Sequence, residues 1–166
     1  HPAGYWPRRR PGGGWLPDGK RIIFIGREPG HNDRAYIRSI DNNERPRPIT
    51  PENITSFTRR IPISSDGEAL ILRDPRGAPT IYPIGGGEPR PLRGVEQGDS
   101  VVRWGTNSQT VFVSRYRQSK IQIYRLDIPA GRRELFGEIP LTDASGIFEE
   151  PGILLTPDGK KVLARG

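Results

Sequence analysis

The sequence predicts an all-β fold built from repeats of one four-stranded unit, and three observations predict it. The phrase Leu16-Pro17-Asp18-Gly19-Lys20-Arg21-Ile22-Ile23-Phe24 returns as Ser64-Ser65-Asp66-Gly67-Glu68-Ala69-Leu70-Ile71-Leu72. It returns in weakened form as Gly105-Thr106-Asn107-Ser108-Gln109-Thr110-Val111-Phe112, and again as Leu155-Thr156-Pro157-Asp158-Gly159-Lys160-Lys161-Val162-Leu163. The copies, counted from Asp18 to Asp66 to Asn107 to Asp158, stand 48, 41 and 51 residues apart. Finally, the 21 Gly and 18 Pro fall between short runs of β-branched and aromatic residues, where they punctuate turns and leave little room for helix.

In the first unit, strands are expected at 14–16, 21–26, 35–40 and 47–50. In the second they are expected at 60–63, 69–73, 80–84 and 90–93, and in the third at 100–104, 110–114, 121–127 and 133–137. The fourth copy retains 152–155 and 161–164. Asp18-Gly19, Asp66-Gly67 and Asp158-Gly159 join first and second strands, because Gly reaches positive φ freely and Asp bonds its own downstream backbone. Asn107-Ser108 is a weaker equivalent, while Asp41-Asn42-Asn43 and Gly85-Gly86-Gly87 serve the turns between third and fourth strands. Pro83 falls inside an expected third strand and should leave it incompletely paired.

A period of about 40 to 50 residues with four strands per unit is the signature of a β-propeller. Each sheet has two apolar faces that it cannot bury alone, and stacking the sheets around an axis buries both. The expectation is a propeller fragment of about three and a half four-stranded antiparallel blades. Blade 1 falls at 14–50, blade 2 at 60–93, blade 3 at 100–137 and a partial blade 4 at 152–166. A poorly ordered arm at 1–13 precedes them, with Tyr5 and Trp6 among prolines and Arg8-Arg9-Arg10. The absence of Met and the incomplete last copy lead us to expect a piece of a longer protein, an open arc whose exposed blades favour edge-to-edge self-association. Trp15 and Trp104 stand at equivalent places before the first turn and are expected to pack between blades.

Composition excludes several chemistries. With no Cys there is no disulfide and no thiolate metal site. No apolar run approaches the ~18 residues of a membrane span. The formal charge is +7, but the Arg residues are spread along the chain, which favours a solvated surface over a nucleic-acid footprint. His31, in Pro29-Gly30-His31-Asn32-Asp33, has only Asp33 near it as a second metal ligand. No Gly-x-Ser-x-Gly elbow occurs, and Asp143-Ala144-Ser145-Gly146 reads as a loop. Gly85-Gly86-Gly87 lacks the Gly-Lys-Ser/Thr ending of a phosphate cradle, and Asp41-Asn42-Asn43-Glu44 lacks calcium-loop spacing. Glu149-Glu150 are adjacent and would point to opposite faces of a strand. No catalytic residue, metal ligand or cofactor is therefore expected. The segments 27–34, 74–79 and 115–120, which join second and third strands, carry Arg27, Arg34, Arg76, Arg115 and Arg117. These are the expected contacts for a protein or small ligand of acidic or anionic character.

The pattern Leu16 to Phe24, followed by Ala35-Tyr36-Ile37-Arg38-Ser39-Ile40-Asp41 and Arg47-Pro48-Ile49-Thr50, resembles the TolB-type propeller repeat. Ile81-Tyr82-Pro83-Ile84-Gly85-Gly86-Gly87 and Ile123-Tyr124-Arg125-Leu126-Asp127 match the same repeat, so the resemblance covers about 14–166. The segments 85–92, 124–134 and 154–160 look like the C-terminal propeller fused to bacterial serine/threonine protein kinases. That resemblance implies the order cytoplasmic kinase, membrane helix, propeller, and so a periplasmic or extracytoplasmic interaction domain. No kinase motif lies in the sequence itself. The alternative is the gating propeller of a prolyl-oligopeptidase-type serine peptidase, whose nucleophile elbow and His would lie beyond Gly166.

Overall fold

The computed structural model describes residues 12–140 and the backbone strands Gly152–Leu155 and Val162–Arg165. The arm at 1–11 with Tyr5, Trp6 and Arg8 to Arg10, the loop at 143–146, Glu149-Glu150 and the Asp158-Gly159 turn lie outside the described residues. The chain forms two compact units, His1–Leu92 and Arg93–Gly166.

The first unit holds two sheets. One contains β1 (Gly13–Trp15), β2 (Arg21–Gly26), β3 (Arg34–Ser39) and β4 (Arg47–Pro48) in that order; the other contains β5 (Ala69–Arg73), β6 (Pro79–Pro83) and β7 (Arg90–Pro91). The second unit holds β8 (Asp99–Trp104), β9 (Thr110–Arg117), β10 (Lys120–Asp127) and β11 (Arg132–Pro140), again in order, and the pair β12 (Gly152–Leu155) and β13 (Val162–Arg165). Every strand pair is antiparallel and joins sequence neighbours. The expected all-β architecture is the one observed.

The turn chemistry explains the repeated phrase. Gly19 lies at φ 66 and donates to the Leu16 carbonyl at 3.0 Å, while Asp18 Oδ1 accepts from the N–H groups of Lys20 at 2.9 Å and Arg21 at 3.1 Å. Gly67 repeats this at φ 74, donating to the Ser64 carbonyl at 2.9 Å. In the third copy Ser108 takes the left-handed position at φ 55, and Asn107 Oδ1 accepts from the Gln109 N–H at 3.1 Å. The same turn thus survives with a less suited pair.

Strands buried on both faces build the core: Ala35 to Ile37, Leu70 to Leu72 and Val111 to Ser114 are buried at consecutive positions. In the first unit Ile23, Ile25, Ala35 and Ile37 of one sheet meet Leu70, Leu72, Tyr82 and Ile84 of the region around the other. Leu16, Ile54 and Ile61 complete that cluster. In the second unit Val111, Val113, Ile121 and Leu126 are buried, and Phe112 and Ile123 pack with Val102 and Ile139.

Five features differ from the sequence expectation. Residues 60–63 form two isolated bridges rather than a strand, because the backbone divides itself between neighbours: Arg60 bridges Gly13 in parallel and Ile63 bridges Leu70. Pro62 has no N–H with which to complete a ladder. The outer strands β4 and β7 are only 2 residues each, since Pro46, Pro48, Pro89 and Pro91 remove donors, whereas β11 is 9 residues long and carries Pro only at its end. Pro83 closes β6, and pairing resumes when Ile84 donates to the Glu68 carbonyl at 2.8 Å. The expected loop at 115–120 is mostly strand: β9 runs to Arg117 and β10 starts at Lys120, leaving a two-residue turn with Gln118 at φ 49. Trp104 is buried at 3% exposure while Trp15, paired with the corresponding residue of β2, stays 60% exposed.

Two glycines separate conformational need from steric need. Gly94 lies at φ +88, and a Cβ there would fall on Leu126 Cδ1 and 2.9 Å from the Gly131 carbonyl oxygen; Gly30, at φ +80, opens on empty space. Gly94→Ala is expected to cost about 3 kcal/mol, against about 1 kcal/mol for Gly30→Ala. Urea unfolding of the two variants beside the parent chain checks the difference.

Candidate interaction surface

One end of the first unit gathers the β2–β3 connection, the segment leading from β4 toward β5 and the β5–β6 turn. The connections are stitched together by backbone bonds: Asn53 donates to the Asp33 carbonyl at 2.8 Å, and Thr55 and Arg73 exchange two bonds at 3.1 and 2.8 Å. Side chains reinforce them. His31 Nδ1 lies 2.6 Å from Glu52 Oε1, and Glu52 Oε2 accepts from the Asn32 N–H at 3.3 Å. Glu28 Oε1 accepts from Arg34 Nη2 and from the Tyr36 hydroxyl, both at 3.0 Å. At the β5–β6 turn, Asp74 Oδ1 accepts from the N–H groups of Arg76 at 2.9 Å and Ala78 at 2.8 Å, and Gly77 sits at φ 85. The Arg73 guanidinium stacks 4.0 Å over the Phe57 ring.

These bonds set the electrostatics. The guanidinium of Arg34 and then the Tyr36 hydroxyl hold Glu28 below the ordinary glutamate value of 4.5. The Asn32 N–H and then His31 do the same for Glu52. Burial pushes the Tyr36 phenol up, although its bond from Arg34 works the other way.

The five arginines separate into two groups. Arg34 is engaged with Glu28 and donates through Nε to the Tyr36 oxygen at 3.0 Å. Arg115 lies in β9 and belongs to a clamp around Asp99, whose side chain is fully buried. Arg115 Nε donates to Asp99 Oδ1 at 2.7 Å and its Nη2 reaches Glu96 at 2.8 Å. Arg133 Nη1 donates to Asp99 Oδ2, and its guanidinium lies 3.9 Å over the Tyr124 ring. Burial opposes the Arg115 charge, but the bonds to Asp99 and then Glu96 outweigh it and raise its pKa. By contrast, Arg27 and Arg76 in the first unit and Arg117 in the second are exposed and in no ion pair with a described carboxylate. Their fixed charge faces solvent.

A cleft of about 300 Å3 lies in the first unit along β4 and the β6–β7 turn. Tyr82 and Ile84 are buried beneath it, Pro51 and Pro89 flank it, and Arg34 and Arg47 line it. Among the described residues no group of three or more His, Asp or Glu stands together to hold a metal ion. No helix of the described residues is long and apolar enough to cross a membrane. The arrangement can bind through charge and apolar contact.

The ion pairs were not visible in the sequence. Glu52 is 21 residues from His31, and Asp99 is 16 residues from Arg115 and 34 from Arg133, so loop contacts join the first pair and sheet register the others. The single local signal was the reach of Asp74 to Arg76 and Ala78, an Asx turn with Gly at its left-handed position.

Asp99→Ala leaves two largely buried guanidinium groups facing one another, and is expected to destabilise the second unit by about 3–5 kcal/mol in urea unfolding. The lowered carboxylates give a second expectation. Because Glu28 and Glu52 have folded-state pKa values below 4.5, the unfolded chain takes up protons first as pH falls. Their stabilisation is complete above the unfolded value and is lost as pH drops through the folded one. The thermal midpoint should stay level from pH 7 to about 4.5 and fall below it, and Glu52→Gln should make that fall shallower.

No family model matches the chain, and no curated protein sequence matches it. Solved structures do. TolB from Acinetobacter baumannii is similar with a TM-score of 0.61 and 20% identity over 92% of this chain and 36% of that one. A putative TolB from Agrobacterium tumefaciens is similar with a TM-score of 0.59 and 22% identity over 93% of this chain and 52% of that one. A prolyl endopeptidase structure is similar with a TM-score of 0.57 and 12% identity over 93% of this chain and 26% of that one. The chain thus spans about a third to a half of the TolB structures it matches. The likeness is one of fold: the chain is folded as part of a β-propeller.

Proposed function

We propose that this chain is a non-catalytic propeller segment serving as a protein- or ligand-interaction domain, and that the loop end of the first unit carries the contact. The observation that supports it is the pairing of rigid loops with unengaged charge. Arg27 and Arg76 are held out on connections that backbone and carboxylate bonds fix in place, while Arg34 is committed to Glu28. A fixed frame presenting unneutralised cations favours an acidic partner and costs little ordering on binding. In the second unit Arg117 offers the same kind of charge beside the tight β9–β10 turn.

The larger setting we infer is a bacterial receptor-type serine/threonine kinase, with the propeller as its sensor outside the cytoplasm. This rests on the repeat resemblance of 85–92, 124–134 and 154–160. The second reading, a gating propeller of a serine peptidase, is favoured by the similarity in fold to a prolyl endopeptidase. Sequencing the coding DNA on both sides separates the two. Kinase motifs and a membrane helix upstream support the first, and a Gly-x-Ser-x-Gly elbow downstream supports the second.

The contact itself is tested with a fluorescent oligo-glutamate peptide. The double charge reversal Arg27→Glu with Arg76→Glu should weaken binding about tenfold and flatten its salt dependence, with the unfolding curve unchanged. Equal binding by parent and variant would remove the loop end from the interaction.

A further inference from the structure

The strand β11 stands apart from the other outer strands. It is 9 residues long, it borders β10 on one side, and no described strand borders the other. Where β4 and β7 are blunted by prolines and reach only 2 residues, β11 has no proline before Pro140. Alternate N–H and C=O groups along 132–139 therefore point outward with nothing in the sheet to receive them. The strand also carries apolar side chains in the open: Leu135 is 51% exposed and Phe136 38%. Phe136 is the extra residue at the irregularity opposite Ile123 and Tyr124, and its ring meets Phe112 edge-on at 5.1 Å. The side chain is thus braced from its own sheet while part of it remains exposed.

Charge order along the strand says what fits. Arg132 stands at its start beside Arg133, which the Asp99 clamp holds; Glu134, bonded by Arg125, follows; Leu135 and Phe136 stand at its middle, and Glu138, which Lys120 bonds from β10, near its end. Arg132 is exposed and has no ion pair with a described carboxylate. A second β11 approaching antiparallel sets Arg132 of each strand beside Glu138 of the other, with the apolar middles together. A parallel approach sets like charge beside like, which is unfavourable. The edge is self-complementary in one orientation only, the condition for a two-fold interface between identical chains. We propose that β11 is a self-association edge, pairing antiparallel with β11 of a second copy of this chain to continue the sheet across a two-fold axis.

An interface of one strand edge is small, so association should be weak and concentration-dependent. Sedimentation equilibrium of the full chain over roughly 5–200 µM is expected to show a monomer–dimer equilibrium. Arg132→Glu places a carboxylate near the partner's Glu138 and should raise the dimer dissociation constant about tenfold, while the circular dichroism and thermal midpoint of the monomer hold. Hydrogen exchange at high and low concentration supplies an independent readout: protection gained on dimerisation should fall on amides of 132–139. A chain monomeric throughout that range would overturn the proposal. So would a dimer that Arg132→Glu leaves unchanged, or one whose added protection lies elsewhere.

Discussion

The first unit depends on a seam between its two sheets. Gly13 donates to the Arg59 carbonyl at 3.2 Å and accepts from Ile61 at 3.1 Å, so β1 is bonded to the segment that leads into β5 as well as to β2. The same segment then turns to β5, where Ile71 donates to the Pro62 carbonyl at 3.0 Å. Such close approach needs small side chains. A Cβ on Gly14 would stand 2.9 Å from Ile63 Cδ1 and 3.3 Å from the Ile61 carbonyl oxygen. With the seam in place, Ile23 and Ile37 on one sheet meet Leu70 and Leu72 on the other, and neither sheet exposes that face to water.

The repeat was legible because it is made of local chemistry. Asp18-Gly19 and Asp66-Gly67 determine their turns within a few residues, and the runs Ile22 to Ile25 and Ala69 to Leu72 carry enough β-branched and apolar character to become strands. What stayed hidden was non-local. Nothing around 60–63 says that its hydrogen bonds would be divided between two neighbours, and nothing around Arg115 says that a buried carboxylate waits for it sixteen residues earlier. Equivalent tryptophans also failed to behave alike. Trp104 and Trp15 share a register, yet only Trp104 is covered, because burial depends on what lies over a sheet and not on the repeat alone.

The interaction surface follows from the same division between local and non-local forces. Ion pairs take Arg34 and Arg115 out of the pool of available charge, since a cation bonded to a carboxylate offers little to a third group. Of the five arginines expected at a contact, Arg27, Arg76 and Arg117 are left exposed and in no ion pair with a described carboxylate.

The Asp99 clamp has a consequence for how the second unit holds together. Asp99 lies on β8, Arg115 on β9 and Arg133 on β11, so one carboxylate is bonded to the first, second and last strands of a four-stranded sheet. Adjacent strands usually communicate through the ladder, one step at a time. Here β8 and β11 are linked directly across the sheet, with Tyr124 of β10 lying under the Arg133 guanidinium. The outermost strand therefore cannot fray independently of the innermost: melting of one end removes the counter-charge that keeps the other in register. The sheet behaves as a closed mechanical loop rather than a row of hinges, and its local openings should be all-or-none events.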